Sequence, residues 1–357
     1  MILDNTLAGA SQKYSGFLPA FSIGHRQVGG ESPVLIIAEA GVCHFGDVKK
    51  ALALVDLAVE SGADIFKTQV FDTDRLVSSV SPEWRERLRC KELSKADIAI
   101  VKAYCDDKGI MFLATAHEEN ALAFLHDEID MVAFKIGSGE VENWSFLRDI
   151  ARRGKPMILS TGMYEIDQIT KAIEIIASEG CQKLAVLHCV SLYPTPPEAV
   201  NLYVMQTIRS FFPGPVGYSD HTAGTAVPLA AVALGARIIE KHITLDINVP
   251  NAQDWKVACT PKAFPQFVAD IRTIEKARGN GIKQISPAER ESITWARKSV
   301  FAACDIPMGI VIKQEMLVSM RPGTGLPPSL IDQIVGCVAS KDLPAGSMIC
   351  EDDFNAV

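Results

Sequence analysis

Residues 156–194 read PMILSTGMYEIDQITKAIEIIASEGCQKLAVLHCVSLYP. An apolar, β-rich run ends in a polar tip. A segment of helical period follows and closes on Gly180, and a second apolar run ends in another polar tip. Runs apolar on both faces, joined through a helix, predict parallel strands covered by helices. The same unit recurs upstream in VLIIAEAG (34–41), DIFKTQ (64–69), MFLATAH (111–117) and MVAFKIGSGE (131–140), and downstream in VGYSDH (216–221) and ARIIEKHITLD (236–246). Intervening helical segments close on Gly62, Gly109 and Gly235, as helices commonly do. Eight such strands alternating with helices predict an α/β fold, a (β/α)8 TIM barrel. A doubly wound open sheet is the competing architecture, and polar tips on all eight runs favour closure.

Outside the barrel the chain changes character. FSIGHRQVGGESP (21–33) predicts a β-hairpin turning at Gly29-Gly30, so residues 1–32 form an N-terminal cap and 33–280 the barrel. GNGIKQISPAERESITWARK is polar and irregular, predicting a linker over 281–296. DIPMGIVIKQEML (305–317) and DLPAGSMICEDDF (342–354) share one pattern, a short repeat that predicts a pseudo-symmetric β-rich module over 297–357. A formal net charge of −8 argues against nucleic-acid or anionic-membrane partners and confines phosphate binding to a local basic pocket. No apolar run approaches the roughly 20 residues that span a bilayer. MILDNTLAGASQKYSG lacks the features of a signal peptide, and nine cysteines without a CxxC pair suit free thiols in the cytoplasm.

In a barrel of this kind the C-terminal strand tips line the active site. They carry Glu39; Lys67 and Gln69; Lys135, Ser138 and Glu140; Ser160 and Thr161; His188, Ser191 and Tyr193; Ser219, Asp220 and His221; and Glu240, Lys241 and His242. Buried charge is expensive unless paired, so this many polar groups in apolar runs calls for a function. Lys67 and Lys135 can serve as phosphate-binding charges, a Schiff-base nucleophile or structural ion pairs; the neighbouring serines favour a phosphate cradle. His221 and His242, on adjacent strands, can converge on one metal ion, with His188 as a candidate third ligand. Glu39 and Glu140 can carry protons, bind sugar hydroxyls or hold a lysine.

IIAEAG-x-x-H-x-G-D (36–47), FKTQ (66–69), KIGSGE (135–140), LSTGM (159–163), HCVSLYPTP (188–196), GYSDHT (217–222) and EKHITLD (240–246) occur in order. Together they resemble the N-acetylneuraminate (sialic acid) synthase family, which includes legionaminate and pseudaminate synthases. The repeat module is similar to that family's SAF domain, an antifreeze-like β-clip. The resemblance implies condensation of phosphoenolpyruvate with an open-chain sugar aldehyde. It places Lys67, Lys135, Ser138, Ser160 and Ser219 on phosphoenolpyruvate, and His221 and His242 on a divalent metal, Mn²⁺ or Mg²⁺. Glu39 and Glu140 contact the sugar and assist proton transfer, with Gln69, Ser191, Tyr193 and Asp254 on the acceptor side. Arg321 reaches the sugar from the SAF domain of the other subunit, which implies a domain-swapped homodimer. The chain departs from many relatives at Cys43, at Ser191 and around Asp254, where Trp255 and Lys256 follow. A Schiff-base pyruvate aldolase and a non-catalytic sugar-binding protein are the rival readings.

Overall fold

A computed structural model describes residues 14–249 and 254–356. Of the N-terminal cap expected over 1–32, residues 1–13 lie outside this range, as do Asn251, Ala252 and Gln253 of the loop before Asp254.

Two antiparallel strands come first, β1 (Ala20–Ile23) and β2 (Arg26–Gly29). Ile23 faces Arg26, so the hairpin turns at Gly24-His25 and not at Gly29-Gly30. Gly24 supplies the positive φ of +53° that a two-residue hairpin turn requires. Gly29 instead ends β2 where Pro19 and Pro215 leave no room for a Cβ.

Eight parallel strands then close a barrel: β3 (Leu35–Gly41), β4 (Ile65–Val70), β5 (Met111–Ala116), β6 (Phe134–Ile136), β7 (Met157–Ser160), β8 (Leu184–Cys189), β9 (Val216–Asp220) and β10 (Ile238–His242). β10 pairs with β3, which excludes the open sheet. Every residue of β3, β5, β7, β8, β9 and β10 is buried, because strand interiors face the barrel axis and exteriors face helices. Helices such as Val48–Glu60 and Ile166–Ser178 lay their apolar stripes on that outer surface: Leu54, Val55 and Ala58 in the first, Ala172, Ile173 and Ile176 in the second.

The chain divides into two compact units between Gly279 and Asn280. Of the linker expected over 281–296, residues 281–286 carry no regular structure, but Pro287–Ala296 is a helix, capped by the Ser286 hydroxyl accepting from the Glu289 N–H. The S-P-A-E run is a capping signature with proline at the first turn, outweighed in the linker reading by the surrounding polar residues. The two copies of the repeat each close on a 3-10 turn, Gln314–Met316 and Glu351–Asp353. They pair with one another at Ile306 and Leu343, and Ile306, Ile312, Leu343 and Ile349 share a small core. All nine cysteines are free, and no described helix is long and apolar enough to cross a membrane.

Candidate active site

Strand register sets the site. Glu39 lies opposite Lys67 on one side and His242 on the other; Ser219 lies opposite Glu240, and Thr115 opposite Lys135. Inward and outward residues alternate along each strand. Glu240 and His242 therefore point into the barrel, whereas Lys241 points out and is sealed against Asp220 and the Thr222 carbonyl. Asp220 and Lys241 are thus structural, although both stand in the polar tips.

Inside, a cavity of about 270 Å³ opens at the C-terminal rim. At its floor Glu240 sits between two ammonium groups, 3.8 Å from Lys67 Nζ and 3.6 Å from Lys135 Nζ, and accepts from the Ser219 hydroxyl at 3.0 Å. Lys67 also pairs with Glu39 at 2.7 Å and donates to Thr115 Oγ1. Lys135 donates to Ser160 Oγ at 2.7 Å and to the Ile136 carbonyl. Burial opposes the charged form of all four groups. For Lys67 the carboxylates of Glu240 and Glu39 outweigh burial and raise its pKa. For Glu240 the two lysines and His242 outweigh it, holding the carboxylate below its ordinary range. Burial prevails for Lys135, whose pKa is lowered, and for Glu39, whose pKa is raised. The floor thus holds one firmly charged ammonium, Lys67, and one firmly charged carboxylate, Glu240, while burial disfavours the charges of Lys135 and Glu39; an entering anion would favour the charged form of Lys135.

Hydroxyl groups gather on one wall. Ser138 accepts from the Gly162 N–H at 2.9 Å. A Cβ on Gly162 would lie 2.3 Å from Ser191 Oγ and 2.8 Å from Ser138 Oγ, so glycine there is what lets both hydroxyls approach the backbone. Gln69 and Ser160 complete this lining.

On the opposite wall the His221 and His242 rings lie 5.4 Å apart. His221 Nδ1 is 2.7 Å from the Val190 carbonyl and so carries the proton; Nε2 then accepts from the Tyr193 hydroxyl at 2.7 Å. Burial lowers the pKa of His242, and its Nδ1 is buried without a hydrogen-bond partner. His242 Nδ1 offers a free lone pair, and His221 Nε2 would offer a second once the Tyr193 hydroxyl turns aside, so the two imidazoles are suitable donors for a divalent ion. Among the described residues no group of three or more His, Cys, Asp or Glu side chains has metal-holding geometry.

Several expected residues stand elsewhere. His188, weighed as a third ligand, points away from the cavity: its Nε2 meets the Val200 carbonyl at 2.7 Å. Glu140 follows β6 in a 3-10 turn, outside the cavity lining, and accepts from Asn143 at 2.7 Å; burial raises its pKa. Asp254 is not in the lining either, but its carboxylate packs on Gly41 beside His242. Arg321 belongs to the second unit, where its guanidinium lies over the Trp295 ring at 5.9 Å. Conversely, Thr115, His117 and Cys189 line the cavity without having been singled out, although MFLATAH ends on the first two. His44, in the loop after β3, is structural: it accepts from the Gly46 N–H and meets Thr68 Oγ1, which donates to the Gly41 carbonyl.

Residues 54–283 match the profile of the NeuB family and residues 297–355 that of the SAF domain. The chain is 36% identical to N,N'-diacetyllegionaminic acid synthase of Campylobacter jejuni, across 89% of this chain and 99% of that one. It is 35% identical to N-acetylneuraminate-9-phosphate synthase of Homo sapiens, across 87% and 90%. Among solved structures, the N-acetylneuraminic acid synthetase of Leptospira borgpetersenii superposes with a TM-score of 0.72 at 34% identity, covering 77% of this chain and 95% of that one. With the closed barrel, the two-lysine floor and matches of this extent, the chain belongs to the NeuB family.

Proposed function

We propose that this enzyme condenses phosphoenolpyruvate with an open-chain acetamido-sugar aldehyde, releasing phosphate and forming a nonulosonic acid. The observation that carries the reading is the pair Lys67 and Lys135 over one buried carboxylate, Glu240, ringed by serine hydroxyls. Phosphoenolpyruvate presents a phosphate and a carboxylate a few bonds apart, and two lysine side chains with hydroxyl donors complement both. Ser138, Ser160 and Ser219 supply those donors. A Schiff-base aldolase is less well supported: it would rest on Lys135 alone, since Glu240 and Glu39 raise the pKa of Lys67, and the relatives matched above are named synthases.

Bond formation begins with attack of C3 of phosphoenolpyruvate on the aldehyde carbon. Glu39, whose pKa burial raises, donates to the developing alkoxide. Water adds to the cationic C2 and returns a proton to Glu39. The tetrahedral intermediate then expels phosphate by C–O cleavage, its hydroxyl proton leaving with the phosphate. Lys67 and Lys135 are already in place for charge on phosphate and carboxylate, so little reorganisation accompanies the step. A divalent cation on His221 and His242 would supply Lewis-acid polarisation of the aldehyde, and two imidazole donors favour Mn²⁺ over Mg²⁺.

On the acceptor side we assign Gln69, Ser191, Tyr193 and Asp254, with Glu140 at the margin. Arg321 is assigned to the acyl group of the sugar, delivered by the second unit of a partner chain in a domain-swapped homodimer. The test is phosphate release from phosphoenolpyruvate with N-acetylmannosamine, its 6-phosphate, mannose and diacetamido hexoses. Release with at least one acetamido sugar is expected; none with any acceptor, with or without Mn²⁺, contradicts the reading.

A further inference from the structure

A second cavity, of about 470 Å³, lies at the N-terminal ends of β3 and β10, on the barrel face opposite the catalytic rim. The loop at Glu31–Val34, Arg237 before β10 and the last turns of helix Ala263–Arg278 enclose it. The carboxylates nearby are already committed. Asp64 takes Arg26 at 3.2 Å, Arg272 at 3.3 Å and the Ile36 N–H at 2.8 Å. Glu275 takes Arg272 at 3.0 Å and the Val34 N–H. This leaves Arg237, Lys276 and Arg278 around the cavity with one weak partner among the described residues, the fully exposed Glu31 at 4.0 Å from Arg237.

Two further observations show an unmet donor and crowded positive charge beside the cavity. Arg26 Nη2 is buried with no hydrogen-bond partner. Arg209, fixed behind the cavity by the Leu234 and Gly235 carbonyls, has its pKa lowered by burial and then by Arg237 and Arg278. Guanidinium groups that repel one another, in a chain of net charge −8, are stabilised when an anion enters among them. Arginine forks present parallel N–H donors, which suit the oxygens of phosphate better than a spherical ion.

We infer that this cavity is a second anion site, distinct from the catalytic one, for a small molecule carrying a phosphate or diphosphate group. Its volume is within the range of small-ligand pockets and exceeds what one phosphate fills, so the anionic group is expected to be part of a larger ligand. The inference does not rest on the proposed reaction.

Calorimetric titration of the full chain with pyrophosphate, metal-free, tests it, with inorganic phosphate as the smaller probe. Saturable pyrophosphate binding is expected to persist in Lys67→Met/Lys135→Met, which disables the catalytic floor. It is expected to weaken at least about tenfold in Arg237→Gln/Arg278→Gln, the loss of two charge-assisted contacts. Should that double variant fold poorly, Lys276→Gln on the exposed last turn is expected to weaken binding in the same direction. Inorganic phosphate binding more weakly than pyrophosphate at the same residues supports a diphosphate-sized ligand; equal affinity assigns the site to free phosphate alone and overturns that part of the inference. Absence of binding, or binding abolished by the Lys67/Lys135 changes and untouched by the arginine changes, overturns the whole.

Discussion

Lys67 and Glu39 are both sealed from solvent, so removing either leaves its partner to shed its charge or stand alone. Lys67→Ala should therefore cost twice, in the stability of the floor and in transition-state charge. The kinetic part is expected to be about 3 kcal/mol, roughly a hundredfold in kcat/KM for phosphoenolpyruvate, by comparison with losing one oxyanion donor. Steady-state kinetics on the folded variant checks it; a loss confined to KM for the sugar would place Lys67 on the wrong substrate. His221→Ala and His242→Ala should each abolish metal-dependent turnover and weaken Mn²⁺ binding in a direct titration. Full activity of His242→Ala after chelation would remove the metal from that position. His44 gives a pH prediction. Burial lowers its pKa to about 4 from the ordinary 6.5, so the unfolded chain takes up this proton first. The stability it contributes is complete above pH 6.5 and is lost as pH falls, by about 3 kcal/mol near pH 4. Urea titrations at pH 7, 5.5 and 4 should show a shallower pH dependence in His44→Gln than in the parent chain; parallel curves would contradict the assignment.

At the scale of elements, β9 and β10 approach so closely at Gly217 that a Cβ there would stand 2.3 Å from the Ile238 carbonyl and 2.7 Å from Leu187. Gly217→Ala should lower unfolding free energy by about 3 kcal/mol, the upper end for overpacking, because a backbone carbonyl cannot turn aside as a side chain can. Thermal unfolding checks this, and an unchanged melting temperature would mean the strands can separate. The same strands explain what was legible in the sequence. Apolar runs with polar ends located all eight strands, because burial on both faces leaves polar residues few other places. Direction was less legible. In GYSDHT and EKHITLD, Ser219, Glu240 and His242 face the axis while Asp220 and Lys241 pair outside it, a distinction that depends on where each strand starts its alternation. Glu140 was counted with a strand that ends at Ile136, and the chain has turned by the time it arrives. His188 belongs to the opposite face of β8 from Cys189, which does line the cavity. The hairpin turn moved to Gly24-His25 because two glycines in a row are a strong local signal that the pairing of Ile23 with Arg26 overrides.

For the whole molecule, two units with separate cores divide the work. In the proposed reaction the barrel is assigned the anionic donor, and the second unit the acyl end of the acceptor. Arg321→Ala should raise KM for the sugar about tenfold or more, the loss of a charged hydrogen bond, with little change in KM for phosphoenolpyruvate. Its side chain is exposed, so the melting temperature should hold. Unchanged KM for the sugar would reject its role, and a monomer of full activity by analytical ultracentrifugation would reject the swapped dimer. The most direct measurement follows the bridging oxygen. With ¹⁸O between C2 and phosphorus of phosphoenolpyruvate, and an acetamido sugar that supports turnover, all the label should appear in released phosphate. Label retained in the sugar-acid product would mean P–O cleavage, and the two-lysine floor would then not be the site of the proposed condensation.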